Sequence, residues 1–533
     1  MFLRHRIASS LTAVSVPTLM MDDSVWRRQQ FVRCDEFIQE KPHVNLGRRV
    51  DGLPSYTFSE IEKHKGGESV WVTFQEGVYD ITKFVEKHPG GTQKILLGAG
   101  KSIEPYWKLY GQHLSLPHIS HMLEEMRVGN VDETEYKAHL QSKEKSSSDD
   151  DPYKIDSSIE RHPGLVFLTE RPANAEVPPS LLCDSFLTPN ELFFVRHHFP
   201  VPSPDEVGAD VVTLTGFPEG QIKLSVKELR EKFNQHTVIA TIQCTGNRRT
   251  GFHSVQDTPG KVKGLPWTVG AISNAKWTGV RLRDVILYIF PNGIPSEIKH
   301  VCFEGRDNDG SGQYYGVSIQ IDRALDERSD VILAFEMNDQ PLPLDHGYPV
   351  RLIVPGTAGC RSVKWLKSIE FSKIESNAFW QKEDYKSFSP SQGWEGLDFS
   401  SAPSVMSTPV QSAICDVSIS DDGKYAILKG YSYSGGGLGI IRVDVSADGG
   451  KTWTNASELE GEHENVTQLP YRRTYSWTLW KAVVDLPSES PEFIVKAIDE
   501  GYNSQPESPA SVWNVRGILN SSWHRVSAPS PKL

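Results

Sequence analysis

Two short segments carry residue types whose chemistry goes beyond what packing needs. The first is His88-Pro89-Gly90-Gly91. Proline ends a preceding helix and the glycines permit a reversal at positive φ, so the histidine is presented at a loop tip. Imidazole is a ready metal ligand at neutral pH, and a second imidazole opposite it would hold a haem iron from both faces. His113, His118 and His121 follow as candidates, beyond an expected helical stretch at 93–97. The second segment is Gln243-Cys244-Thr245-Gly246-Asn247-Arg248-Arg249. Two arginines place the thiol in a positive field, which favours thiolate, and thiolate is a soft metal ligand. The plain alternative is a buried cysteine near surface arginines.

Further arginines stand in Phe194-Val195-Arg196-His197-His198 and in Trp513-Asn514-Val515-Arg516-Gly517. Each alone reads as a structural ion pair. Several converging on one pocket would form a planar, charged clamp for an oxyanion. The other five cysteines, Cys34, Cys183, Cys302, Cys360 and Cys415, form no CxxC pair. They are too sparse for a disulfide framework and read as buried free thiols.

The elements that must position these residues follow from periodicity. Val70, Val72 and Phe74 alternate as in a strand. Asp80-Ile81-Thr82 then opens a helical stretch ending at His88, and helical patterns continue to about Val128. The polar run from Lys143 to Asp151 cannot bury enough apolar surface to fold alone and reads as a flexible linker. From Tyr153 to Pro403, strands and short helices mix among glycines and prolines, an α+β pattern rather than βαβ alternation. From Val405 the signals are all β: Ile441, Val443 and Val445 alternate with Arg442 and Asp444, Asp448-Gly449 marks a hairpin turn, and Phe493, Val495 and Ala497 alternate again. An immunoglobulin-type sandwich fits.

The bulk properties narrow the class. A chain of 533 residues holds several domains. Its net charge of −12 argues against nucleic acid and suits a basic protein partner met by electrostatic steering. No run of about 18 apolar residues offers a membrane span. From Met1 to Met21 there is no acid, while Arg4, His5 and Arg6 stand among apolar residues and serines, the pattern of a mitochondrial transit peptide. Met20 and Met21 offer a shorter start without this leader.

Tyr56-Thr57-Phe58, Val72-Thr73-Phe74, Val78-Tyr79-Asp80-Ile81 and the His88 motif together resemble cytochrome b5 over about residues 54–130, and that family's spacing favours His113 as the second haem ligand. FVRHHFPVP, QCTGNRR, KGLPW, EMNDQPLPLDHGYPVRLIVPG, RSVKWL and WNVRG resemble the sulfite oxidase family of animal type across nearly the whole chain. The resemblance implies an α+β multidomain protein: a transit peptide and leader (1–53), a cytochrome b5-like haem domain (54–131), a flexible linker (132–152), a molybdopterin-binding catalytic domain (153–404) and an immunoglobulin-like dimerisation domain (405–533). It implies Cys244 as the thiolate ligand of molybdenum, and Arg196, Arg249, Trp267, Tyr385 (with Asp384 beside it) and Arg516 around sulfite. It implies that molybdopterin is held by the segment Phe194, Val195, Arg196, His197 and His198, and by Asp307, His346, Arg351, Ser362, Val363 and Lys364. Sulfite would be oxidised to sulfate as the last step of sulfur amino acid degradation. Electrons would pass singly through haem b, with His88 and His113 on the iron, to cytochrome c in the mitochondrial intermembrane space, and the protein would be a homodimer. The rival resemblance is eukaryotic nitrate reductase, which places its haem domain after the molybdenum domain and adds a flavin domain. One departure is the loop holding Gln256-Asp257-Thr258-Pro259, which leaves the pocket rim open.

Overall fold

The first unit is built around the predicted alternation. Val70, Val72 and Phe74 turn inward from strand Ser69–Phe74 and pack with Ile81, Trp107 and Leu123. In this computed structural model the described residues are 46–88, 92–109, 113, 117–142, 152–203, 211–218, 220–310, 312–461, 473–487 and 491–527. The leader before residue 46, Pro89-Gly90-Gly91 and the polar run Lys143–Asp151 lie outside them. The unit's five-stranded sheet runs Ser55–Tyr56, Arg127–Val131, Gly77–Asp80, Ser69–Phe74, Lys65–Gly66. Helices Thr92–Leu96, Glu104–Leu109 and Pro117–Glu125 carry the segments around His113.

Both expected edges of this unit shift. Residues 46–53 are not leader: Leu46 packs against the core, Arg49 Nη2 donates to the Val131 carbonyl at 2.6 Å and Val50 N–H to Asn130 Oδ1 at 3.0 Å. The linker does not start at 132, because Glu133–Ser142 is a helix. Asp132 accepts from the amides of Thr134 and Glu135 as an N-cap. Glu135 accepts from Phe58 N–H at 2.7 Å, and Tyr136 packs with Phe58.

The catalytic region holds three sheets. Val166–Glu170, Ala173–Glu176 and Val195–Arg196 form one. Gly220–Ser225, Val211–Phe217, Leu366–Ser372, His300–Asn308 and Tyr314–Gln320 form a second, whose single parallel pairing joins Leu366–Ser372 to Val211–Phe217. Gln235–Gln243, Ile272–Arg281 and Ile332–Met337 lead the third. The C-terminal region is the expected sandwich. One sheet orders Gln411–Ile419, Tyr425–Tyr433, Thr478–Asp485 and Glu458–Glu460; the other orders Thr454–Asn455, Ile440–Ser446, Glu492–Asp499 and His524–Ser527. Val443, Val445, Phe493, Val495 and Ala497 fill the space between them. The alternation fails at Ile441, which is 43% exposed while Ile440 is buried, because a bulge between Ile440 and Arg442 changes the phase.

The cores of the last two regions merge. Ala413, Cys415, Tyr431 and Trp477 share one cluster with Cys244, Trp267 and Trp277. The haem unit rests on this body through an apolar contact. Leu97 packs against the same cluster, and the ring of Tyr106 meets His162 edge-on at 5.0 Å.

Candidate functional site

His88 follows the short turn Val85–Lys87 in extended conformation. Its ring lies parallel to that of His113, within 7°, with centroids 6.3 Å apart. An imidazole nitrogen holds a transition metal at about 2 Å, so this spacing accommodates one iron between the rings. Phe84 stands edge-on to His88 at 5.9 Å, and Trp107 stacks on His113 at 5.4 Å. Of the downstream histidines it is His113 that stands opposite His88; the ring of His118 lies outside the described residues.

A second centre opens as a cleft in the catalytic region. Cys244 lies on its wall, just past the end of strand Gln235–Gln243. The loop after it is tightly held. Cys244 N–H donates to Ala271 O at 2.9 Å, and Asn247 Oδ1 accepts from Ala271 N–H at 3.1 Å. The two arginines then diverge. Arg248, in the left-handed region at φ 62°, donates to the carbonyls of Ser412, Ser522 and Trp523 and so ties the loop to the C-terminal sandwich. Arg249 turns back beside Gly246, Gly264 and Gly517, donating to Gly517 O at 2.8 Å and Leu265 O at 2.7 Å. A Cβ at Gly246 would stand 2.5 Å from its Nη2, so a side chain there would displace the guanidinium.

Of the residues expected at the site, Phe194, Arg196, His198, Asp307, His346, Arg351, Ser362, Lys364 and Tyr385 share the cleft with Cys244. Arg196 Nη1 donates to Asn174 Oδ1 at 3.1 Å. Tyr385 OH lies 2.8 Å from His198 Nε2, whose ring stacks on Tyr315 at 4.7 Å. Arg351 donates to the carbonyls of His346 (2.8 Å) and Ser362 (3.0 Å).

Val195, His197, Trp267, Val363, Arg249 and Arg516 are not on this wall. Val195, Trp267 and Val363 are core residues. His197 points the other way, its Nε2 3.2 Å from the Asp345 carbonyl. Arg249 stands behind Cys244, and Arg516 is paired with the Asp384 carboxylate next to Tyr385. The loop at 256–260 packs beside Gly393 and Trp394, and Trp394 Nε1 donates to Lys261 O at 2.8 Å. Thr245, Tyr315, Cys360 and Trp365 also line the cleft. Thr245 lay inside the cysteine motif, whereas Tyr315 comes from strand Tyr314–Gln320, which carried no motif.

The cleft is electrostatically unfinished. Burial pulls the Lys364 ammonium well below its ordinary range, Arg351 down to about 9 and His346 down to about 3. It pushes Asp307 up to about 7, with Lys364 opposing. Arg351 Nε, Asp307 Oδ1 and Thr245 Oγ1 are buried without hydrogen-bond partners. Buried polar groups are normally satisfied, so this set calls for a polar, anionic occupant with both donors and acceptors. A phosphorylated pterin beside a thiolate-held metal meets that demand.

The comparisons agree. Residues 198–380 match the oxidoreductase molybdopterin binding domain, 402–530 the Mo-co oxidoreductase dimerisation domain, and 57–132 the cytochrome b5-like heme/steroid binding domain. The mitochondrial sulfite oxidase of Rattus norvegicus is 45% identical over 481 residues, covering 88% of this chain and 83% of that protein. The sulfite oxidase of Gallus gallus is 44% identical, covering 89% and 99%. A nitrate reductase [NAD(P)H] of Hordeum vulgare is 36% identical, covering 70% of this chain and 42% of that protein. Among solved structures, the sulfane dehydrogenase SoxCD from Paracoccus pantotrophus is similar, with a TM-score of 0.54 and 25% identity over 72% of this chain and 92% of that one.

Proposed function

The chain belongs to the sulfite oxidase family, and on that premise we propose that it oxidises sulfite to sulfate and passes the electrons one at a time through its haem to cytochrome c. The overall change is sulfite plus water to sulfate, two electrons and two protons. The molybdenum-molybdopterin centre, when bound, supplies the oxygen-atom transfer and the two-electron redox chemistry. Cys244 holds the metal as thiolate. His198, Asp307, His346, Arg351, Ser362 and Lys364 hold the pterin and its phosphate. Arg196 binds the substrate dianion. Arg249, behind Cys244, adds positive charge at short range. Tyr385 OH and His198 Nε2 share a 2.8 Å hydrogen bond that keeps the imidazole oriented. Burial keeps the Tyr385 hydroxyl protonated and His198 neutral.

The observation that carries this reading is the cleft itself: the Cys244 thiol, with Cys360 nearby, and the buried Arg351 and Lys364 on the same wall, where Arg351 Nε has no partner. The nitrate reductase reading is weaker, because that relative is matched over less than half its length and the haem unit here precedes the molybdenum domain. A net charge of −12 favours encounter with a basic acceptor. The related proteins named mitochondrial support a mitochondrial protein, and we place it in the intermembrane space with its acceptor. The dimerisation domain supports a homodimer. Among the described residues no helix is long and apolar enough to cross a membrane.

The test is sulfite-dependent reduction of cytochrome c by purified protein, with molybdenum and iron measured on the same sample. Reduction that follows both metals is expected. A fully loaded protein that ignores sulfite with every acceptor overturns the function; one that reduces ferricyanide but not cytochrome c overturns the acceptor alone.

A further inference from the structure

We propose that Arg161 is a positioning residue for the molybdenum cofactor: it pins the turn carrying Asp345 and His346, and through that turn sets the ammonium of Lys364. Arg161 follows the short helix Lys154–Ser158 and belongs to none of the motifs that mark the site. Its side chain is 11% exposed. The guanidinium donates twice to one carboxylate, Nε to Asp345 Oδ2 and Nη2 to Asp345 Oδ1, both at 2.7 Å. This fork-to-fork arrangement is the strong form of the ion pair. Nη2 also reaches Asp156 Oδ1 at 3.2 Å and Nη1 the Asp156 carbonyl at 3.1 Å. Asp156 is fixed in turn by Val201 N–H, which donates to its Oδ2 at 2.8 Å.

The other side of the turn faces the cleft. The Asp345 carbonyl accepts from Lys364 Nζ at 2.9 Å. His346 is on the cleft wall, its Nε2 3.0 Å from Asn190 O, and its carbonyl accepts from Arg351 Nη1 at 2.8 Å. Two cationic cleft residues, Lys364 and Arg351, and the neutral His346 therefore hang on one 3₁₀ turn, Leu344–His346. Such a turn is short and has poor hydrogen-bond geometry of its own. Arg161 holds its carboxylate from behind, while His197 Nε2 stands 3.2 Å from the Asp345 carbonyl and Trp365 Nε1 donates to Leu344 O at 2.8 Å. Without the guanidinium, the buried Asp345 carboxylate would lack its partner beside Lys364. An uncompensated buried charge is costly, and the nearest relief is to draw that ammonium away from the anion it should meet.

The inference rests on the proposed placement of the pterin phosphate at Lys364, Arg351 and His346. It is tested on holoprotein by following loss of molybdenum and of pterin fluorescence after gel filtration, in Arg161→Gln, Lys364→Gln and the double variant Arg161→Gln/Asp345→Asn. Arg161→Gln and Lys364→Gln should each lose cofactor at least ~10-fold faster than the native protein, with the haem spectrum unchanged. The double variant leaves no orphaned carboxylate on the turn, while Asp156 keeps the Val201 N–H, and should return to within ~3-fold of native. Loss in the double variant as fast as in Arg161→Gln would mean that Arg161 acts by general packing, and overturns the proposal. Native retention in Arg161→Gln while Lys364→Gln leaks also overturns it but spares the placement; native retention in both overturns the placement. If Arg161→Gln does not fold, Arg161→Lys keeps the charge without the fork and should leak at least ~3-fold faster; native retention there rejects the paired geometry.

Discussion

At Cys244 the relevant property is softness. Serine has nearly the same shape but offers a hard hydroxyl. Cys244→Ser should abolish sulfite oxidation with cytochrome c and with a direct acceptor, while the haem spectrum stays native. Near-native turnover in a metal-loaded Cys244→Ser protein would remove the residue from its ligand role. The arginines separate by surroundings. Arg196 lies on the cleft wall, so Arg196→Gln should lower kcat/KM at least ~10-fold, as a buried charge-assisted hydrogen bond is worth roughly 1.5–3 kcal/mol. Steady-state kinetics at several sulfite concentrations decide this, and an unchanged kcat/KM would place sulfite elsewhere. Arg516 is instead paired with Asp384, so its influence reaches the substrate by way of the neighbouring Tyr385.

Among the elements, the C-terminal sandwich holds a titratable contact. Ile414 N–H donates to His524 Nδ1 at 3.0 Å, which requires a ring nitrogen without a proton. Burial lowers the His524 pKa to about 3, with Arg248 adding to the effect. The unfolded chain therefore binds a proton near pH 6.5 that the folded chain refuses. The contribution is fully present above that pH and is lost progressively as pH falls from about 6.5 toward 3. Lowering pH from 7.5 to 5.5 should cost on the order of 1 kcal/mol at this residue. Thermal unfolding of His524→Gln across that range should show a shallower acid-side decline than the native protein, and parallel declines would reject the assignment. The helix Glu133–Ser142 lies where the sequence reads as linker; Asp132 caps it and the Phe58 N–H bond to Glu135 docks it.

For the whole molecule, electron transfer depends on how the haem unit meets the catalytic body. By sequence, Glu86, Glu104, Glu124 and Glu125 are candidates for an acidic docking surface on the haem unit. Glu124, however, is nearly buried in a pair with Arg127 and accepts from Tyr79 OH at 2.8 Å. The contact observed is apolar, through Leu97 and the Tyr106–His162 rings. Apolar contacts are not screened by salt. Leu97→Asp would bury a charge there and should slow haem reduction by the molybdenum centre at least ~10-fold, with direct-acceptor turnover unchanged. Flash photolysis measures the step, and a native rate in Leu97→Asp would show that transfer uses another arrangement.

Much of this protein is written in short stretches of chain. The His88 motif, the CTGNRR segment and the period-two alternations depend on nearest neighbours, so a candidate haem ligand, a candidate thiolate, the domain order and the sandwich were legible in the sequence alone. What the fold alone decided lies at long sequence separation. Only packing sends Arg248 to the carbonyl of Ser522 and Arg249 to those of Gly517 and Leu265, turns His197 away from the cleft its neighbours line, and brings Tyr315 into it. Arg161 meets Asp345 across 184 residues, a pairing no local pattern encodes. The physical reason is common to all: side-chain direction and burial are set by which surfaces close on each other, and a motif specifies the chemistry of a residue without specifying what stands opposite it.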